Sequence, residues 1–524
     1  MPTQISPPAR AINSRTESAS TRILRLLPAA SLAAAVAWAA LAIVLNFVGY
    51  AESDDLAYAS GASGWLTSAP YLGTSHWAIR HCIVLPMALG FKLFGENEAT
   101  LVLPSLCYAA LLLVLLGNIA ARLGGWKAAA LTIALAGSVP AVATGASLVS
   151  TDLPEAFFII GSVWAWHCGR EGGRPALLLV SGLAAGCAVI TRETTVALLL
   201  FYLIAFVANG GRGTQNYLIM AAGFVLVVGV DWLYLNAMSG DPLYRLHVVM
   251  KGAQGDGPQL EMPGDGVSGV DRFGAIALPR ALRPFGALFL KQNFGLLFWV
   301  AVPAAVWLVV RGHGEAQRSA ATFLGLFGTW VVVSGYTLAP WLWVIPRYYL
   351  VCIVLIVPLA VLLSSLLSQK SLWAAAVAAL LLGSSLALDL GSTIGIIAGE
   401  RSLVAAVRAY PGVMHTDPST ARGASWLLAQ QGLEKRVSTD LPAAGDLYFF
   451  DSRPRRTVPA NWPLRSVPTG WVPLETKTHP TKWTGPLVRA LGLEALLSPG
   501  LRAKVDPVPL TTAVYRVSVA TPGN

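Results

Sequence analysis

Charge is scarce in this chain: of 524 residues, 37 are Lys or Arg and 27 are Asp or Glu, 12% in all. That share cannot solvate the surface of a soluble protein of this length, nor make a disordered polyelectrolyte. Cysteine is scarce too. Cys82, Cys107, Cys168, Cys187 and Cys352 lie in or beside apolar stretches and none follows, so no disulfide framework is implied. Also missing are a G-x-x-x-x-G-K-[ST] loop, a strand-bound G-x-G-x-x-G, clustered basic helices, RNA motifs and repeats of 20 to 50 residues. Nucleotide-cradling chemistry is excluded, and the net charge of +10 calls for no nucleic acid.

What the chain has instead is apolar length, with 55% hydrophobic residues and a mean hydropathy of +0.60. It reads as a polytopic α-helical membrane protein. Runs of roughly 20 apolar residues cross a bilayer. Eleven are expected, near 26–49, 98–121, 127–147, 153–168, 175–191, 194–209, 216–237, 292–310, 319–338, 348–367 and 372–390. The first follows a basic segment, residues 1–25, and no small-residue cleavage site comes after it, so it is retained as a span.

Alternating these spans sorts the charges. Arg10, Arg15, Arg22, Arg25, Arg122, Lys127, Arg170, Arg174, Arg212, Arg311, Arg318 and Lys370 all fall on one side, whereas the short connections opposite offer Arg192 and Arg347. Basic loops stay in the cytoplasm, which fits a bacterial inner membrane protein with a cytoplasmic N-terminus. The spans form one module, 26–390, and residues 391–524 become an extracytoplasmic tail. That tail alternates a helix-like stretch, Ser419 to Gln431, with strand-like stretches at Val437, at Leu447 to Phe450 and at Ala513 to Val519. A small α/β domain is expected there, with Asp440, Asp446 and Asp451 as turn residues.

The acids were free to fall on either face, and the informative ones collect on the outer one. Asp54 and Asp55 follow the first span, with Tyr58 next to them and His76 and Arg80 further along the same loop, 51–97. Carboxylates beside hydrocarbon need a polar cavity or a partner. His76 and Arg80, four apart, would share one face of a surface helix, and the broken apolar stretch 79–94 suits an interfacial position. Asp152 and Glu155 open the fourth span, where a capping box with Pro154 in the first turn competes with a role in chemistry. Arg192 and Glu193 occupy a turn and read equally as a local ion pair; Arg347 reads equally as an aromatic-belt anchor. The stretch 238–291, running Lys251 to Pro258 through glycines, is expected to be a flexible outer loop covering the site.

Taken in order, Asp54-Asp55-Leu56-Ala57-Tyr58, Ser63-Gly64-Trp65, Leu93-Phe94-Gly95, Thr151-Asp152-Leu153-Pro154 and Pro346-Arg347-Tyr348-Tyr349 resemble the GT-C glycosyltransferases. The similarity is greatest to the branch of protein O-mannosyltransferases and lipid A aminoarabinose transferases, and it covers about residues 26 to 367. It implies a polyprenyl-phosphate-linked sugar as donor, a lipid, glycan or protein acceptor, and Asp54 as the acid of the family's Asp-Glu motif. Here the second acid is Asp55, and the Lys- or His-Pro-Pro stretch of relatives is replaced by His76-Trp77-Ala78.

That chemistry needs a base on the acceptor hydroxyl, for which Asp54 and Asp55 are the candidates, and cations on the departing phosphate. Arg80, Arg192 and Arg347 are the candidate cations, because the guanidinium fork binds two oxygens and stays charged. No metal site is assigned, since ligand spacing of the H-x-x-x-H or C-x-x-C kind is missing, although a divalent cation is compatible with the acids. Two other classes compete. A secondary transporter would place ionisable groups at mid-membrane, where Asp231 is the clear acid, and an export or assembly protein would use its outer face only for docking.

Overall fold

The computed structural model describes residues 19–254, 270–273, 276–279, 282–333, 346–452, 462–464 and 466–518. The first apolar run folds as helix α1 (Ala19–Leu45). Two shorter helices, α2 (Asp54–Thr67) and α3 (His81–Phe94), fill the loop before the next long one, α4 (Glu98–Gly137). Asn97 starts α4 with a reciprocal cap: its side chain accepts from the Thr100 N–H while its own N–H donates to Thr100 Oγ1. Gly125, at φ +76°, breaks α4 into two limbs, which is where the sequence places a connection between spans. The second limb ends sooner than expected, and the short α5 (Pro140–Gly145) takes up the remainder.

Next come α6 (Asp152–Gly172), α7 (Pro175–Thr191), a 3-10 turn at Glu193–Val196, α8 (Ala197–Ala208) and α9 (Thr214–Ser239). The stretch expected to be a flexible loop covering the site contains α10 (Tyr244–Gln254), a hairpin of β1 (Val270–Phe273) and β2 (Ile276–Pro279), and the single turn α11 (Arg283–Phe285). Its glycine-rich part, 255–258, lies outside the described residues. Then follow α12 (Leu297–Arg311), α13 (Gly314–Val332), a 3-10 run at Pro346–Leu355, α14 (Ile356–Ser368) and α15 (Leu372–Gly391).

Among the described residues, five stretches are long and apolar enough to cross a membrane alone: Leu27–Leu45, α4, α9, Pro346–Ser368 and α15. The other helices of the expected eleven are shorter or more polar. Pro346–Ser368 is mostly buried and forms the middle of the bundle, while α1, α9 and α15 leave most of their side chains exposed as lipid-facing helices do. Between α7 and α9 the backbones nearly touch. A Cβ at Gly182 would lie 1.9 Å from the Met220 carbonyl, and one at Gly223 2.5 Å from that of Leu179. Small residues at such crossings replace the hydrophobic drive that lipid removes.

The tail forms α16 (Ala398–Ala409), β3 (Met414–His415), α17 (Pro418–Ala429), β4 (Val437–Ser438), β5 (Leu447–Asp451), β6 (Val472–His479), α18 (Thr484–Ala490), α19 (Pro499–Val505) and β7 (Leu510–Arg516). The five strands order as β4-β3-β5-β7-β6, parallel at β3 and antiparallel around β7. This small sheet is not a pendant. One apolar cluster joins Tyr50, Ile83 and Met87 of the first loop to Leu403, Val407, Leu428 and Phe449 of the tail.

Candidate functional site

The acidic pair divides at once. Asp55 is fully buried, and its two carboxylate oxygens accept from the N–H groups of Ala51 (2.7 Å) and Ser53 (2.6 Å), fastening the chain that enters α2. Burial pushes its carboxyl above the usual range while those backbone donors pull the other way. Asp54 is half-buried and makes no side-chain hydrogen bond or ion pair among the described residues. Its charge raises the pKa of both Tyr58 and His76, so it faces them.

Tyr58 lies one turn along α2 from Asp54 and is buried. Its phenol accepts a hydrogen bond from Arg80 Nη1 at 2.8 Å, and burial pushes it up to about 12. Arg80 precedes α3, and its Nη2 is 3.6 Å from Glu193. Burial works against its charge, but Tyr58 and Glu193 outweigh that and keep it cationic. The expected surface helix across His76 and Arg80 is absent: residues 74–79 are turns, and the helix starts at His81. His76 packs on Trp77, with ring centroids 3.7 Å apart, and burial followed by Arg80 holds its imidazole below the ordinary value.

Arg192 brings the second acidic pair together. Its Nη1 donates to Asp152 (3.0 Å) and Glu155 (2.6 Å), Thr195 donates to the other Glu155 oxygen (2.7 Å), and its guanidinium lies 4.3 Å from the Tyr348 ring centroid. The capping-box reading of Asp152 and Glu155 therefore gives way. Thr151 already has helical backbone angles, so α6 begins without a side-chain cap and both acids turn to the arginine. The local Arg192 to Glu193 pair gives way as well, since Glu193 binds Arg80 and Arg245 instead. Arg347 Nε stands 3.3 Å from the remaining Asp152 oxygen with about a third of its side chain open.

Arg245, on α10, was not singled out from the sequence. It donates to Asp231 (3.0 Å), to Glu193 (2.9 Å) and to the carbonyls of Ile79 (2.9 Å) and Ile190 (3.3 Å); Asp231 in turn lies 2.7 Å from His81 Nδ1. The Tyr244 hydroxyl donates to the Gly73 carbonyl at 2.8 Å. One helix of the supposed cover is thus tied to the first loop and to both flanks of Arg192. No spacing rule in the sequence points to a residue whose partners come from three separate segments.

The tail closes the other side of the first loop. Tyr50 stacks on Trp426, with centroids 5.1 Å apart, Arg422 pairs with Glu52 at 3.3 Å, and Arg401 pairs with Glu98, which accepts from the Tyr50 N–H at 2.9 Å. Among the described residues, His167, Glu171 and Glu315 bring possible metal-ligating atoms within 4.8 Å of one another. Their acids are engaged by Arg318 and Arg122, and none of the three belongs to the constellation around Asp54.

Residues 83–234 match the model of the dolichyl-phosphate-mannose-protein mannosyltransferase family. No curated protein matches the chain by sequence. The fold is similar to that of ArnT from Cupriavidus metallidurans in the apo state, with a TM-score of 0.56 at 13% identity, over 82% of this chain and 93% of that one. The chain has the GT-C fold. A second GT-C structure, the apo oligosaccharyltransferase of Archaeoglobus fulgidus, aligns with a TM-score of 0.50 at 13% identity, over 79% of this chain and 64% of that one, so under two thirds of the oligosaccharyltransferase is spanned.

Proposed function

We propose that this protein is an integral membrane glycosyltransferase that moves a sugar from a polyprenyl-phosphate donor to an acceptor hydroxyl on the outer face of the membrane. The observation that carries this reading is the contrast between the two aspartates. Asp55 spends both oxygens on backbone N–H groups, while Asp54 keeps its carboxylate free beside Tyr58 and His76. A free carboxylate beside a tyrosine that Arg80 binds, on a GT-C fold, suits a general base for this reaction.

In the step itself, Asp54 accepts the acceptor's hydroxyl proton as the oxygen bonds to the anomeric carbon. The bond from that carbon to the phosphate oxygen breaks, and the lipid phosphate leaves with an added negative charge. Arg347 and Arg80 are the cations assigned to receive it. Arg347 makes one loose contact with Asp152, and Arg80 keeps Nη2 at 3.6 Å from Glu193, so both have donors to spare. Arg192 serves as a positioning residue, because Asp152, Glu155 and the Tyr348 ring already engage its guanidinium.

The acceptor class, whether lipid, glycan or protein, depends on shape beyond these residues. The test is transfer from a labelled polyprenyl-phosphate sugar in membranes. Asp54→Asn should abolish it, and full transfer by that variant would remove the proposed base.

A further inference from the structure

The segment from Lys482 to Val508 adds almost nothing to the core of its own domain. Gly485 is the buried residue of α18, and neither the 3-10 turn at Leu493–Leu496 nor α19 buries any. Its leucines point outward instead: Leu487, Leu491, Leu496 and Leu501 are exposed, Leu496 by 79%, and Val508 by 88%. A soluble surface seldom leaves so many large apolar side chains of one short segment open to water. The helices concerned are seven residues long, too short to hold themselves together without a surface to rest on.

Two hydrogen bonds fix where this face starts. The Trp483 indole N–H donates to the carbonyl of Leu45, the last residue of α1, at 2.8 Å. The Ile394 N–H donates to the Thr481 carbonyl at 2.9 Å, just past the end of α15. Both α1 and α15 are apolar, membrane-length helices with largely open surfaces, so the segment leaves from the level at which two spans emerge from the bilayer. Its charge suits the same place. Arg489 and Arg502 pair with Asp506 and Glu494, which leaves Lys482 and Lys504 as the surplus charge, and a tryptophan at the span ends with leucines and basic residues beyond it is the composition of an interfacial element.

We propose that Lys482–Val508 is a membrane-surface anchor: its leucines enter the leaflet beside α1 and α15, and its basic side chains meet anionic headgroups. The tail would then be held at both edges, by its shared core with the first loop and by the lipid. This inference does not depend on the reaction assigned to the site.

The test uses the full chain in nanodiscs of phosphatidylcholine, with and without phosphatidylglycerol. A photoreactive benzoyl-phenylalanine is placed at Leu491, at Leu496 or, as a control, at Lys435, next to the Arg436 that binds the Tyr410 carbonyl beyond the far end of α16. Positions 491 and 496 should give lipid adducts, with more from the mixed bilayer, and position 435 should give none. Adducts at 491 and 496 no higher than at 435, or adducts to a second copy of the chain in place of lipid, would overturn the proposal. Since all three residues are exposed, size-exclusion elution matching the parent shows that each variant is folded.

Discussion

The Arg80 guanidinium donates to the Tyr58 phenol at 2.8 Å, tying the residue before α3 to the second turn of α2. This bond aims one of the two arginines assigned to the donor phosphate. A hydrogen bond to a charged group contributes ~1.5–3 kcal/mol, so Tyr58→Phe should lower kcat/KM by about tenfold, mainly through the KM of the lipid donor. Unchanged kinetics would mean that Glu193 holds Arg80 without help from the phenol.

Asp55→Asn should behave unlike Asp54→Asn. An asparagine offers one acceptor oxygen where two N–H groups converge, and it turns an N–H₂ toward the other. Leaving a buried donor unmatched costs about 1–3 kcal/mol. Thermal unfolding in detergent should therefore show a lower Tm for Asp55→Asn and a parental Tm for Asp54→Asn. Equal melting of the two would contradict the division of labour.

Removing Arg192 strips the cation from buried Glu155 and leaves buried Asp152 with only its loose contact to Arg347. Breaking a buried pair from one side costs about 3–5 kcal/mol, so Arg192→Met should unfold at markedly lower temperature or denaturant. Adding Asp152→Asn and Glu155→Gln should recover a good part of the loss. If the single variant melts like the parent, the guanidinium is not the counter-charge described.

His76 supplies a pH signature. Its imidazole is held below the ordinary value by burial first and Arg80 second. A histidine with a depressed folded-state pKa contributes stability that is present above the unfolded value, about 6.5, and is lost as pH falls through the folded value. The parent should therefore lose thermal stability between about pH 7 and about pH 5, and His76→Gln should lose less over the same interval. Parallel curves would show that His76 is not the titrating group.

Much of this arrangement was legible because membrane helices announce themselves by length. The run expected at 175–191 is α7, and the break expected after 121 coincides with Gly125. What stayed hidden depends on where separate segments meet. Adjacent in sequence, Asp54 and Asp55 differ only because the path through Ala51 and Ser53 points two N–H groups at one of them. The spacing of Asp152 and Glu155 suggested a cap, and it took the helical backbone at Thr151 and an arginine 37 residues further on to turn them elsewhere. Arg245 carried no local signal, since its partners lie 14 to 166 residues away.

The stacking of Tyr50 on Trp426 means that the loop bearing Asp54 is walled on one side by the tail. Residues near 50 come early in translation and those near 426 come late, so the loop waits for most of the polypeptide before its outer wall exists. A ribosome-bound chain that ended after α15 would carry every arginine assigned to the phosphate, yet would leave the approach to Asp54 without Glu52's partner Arg422. The outer wall of that loop therefore depends on residues synthesised after the whole membrane module.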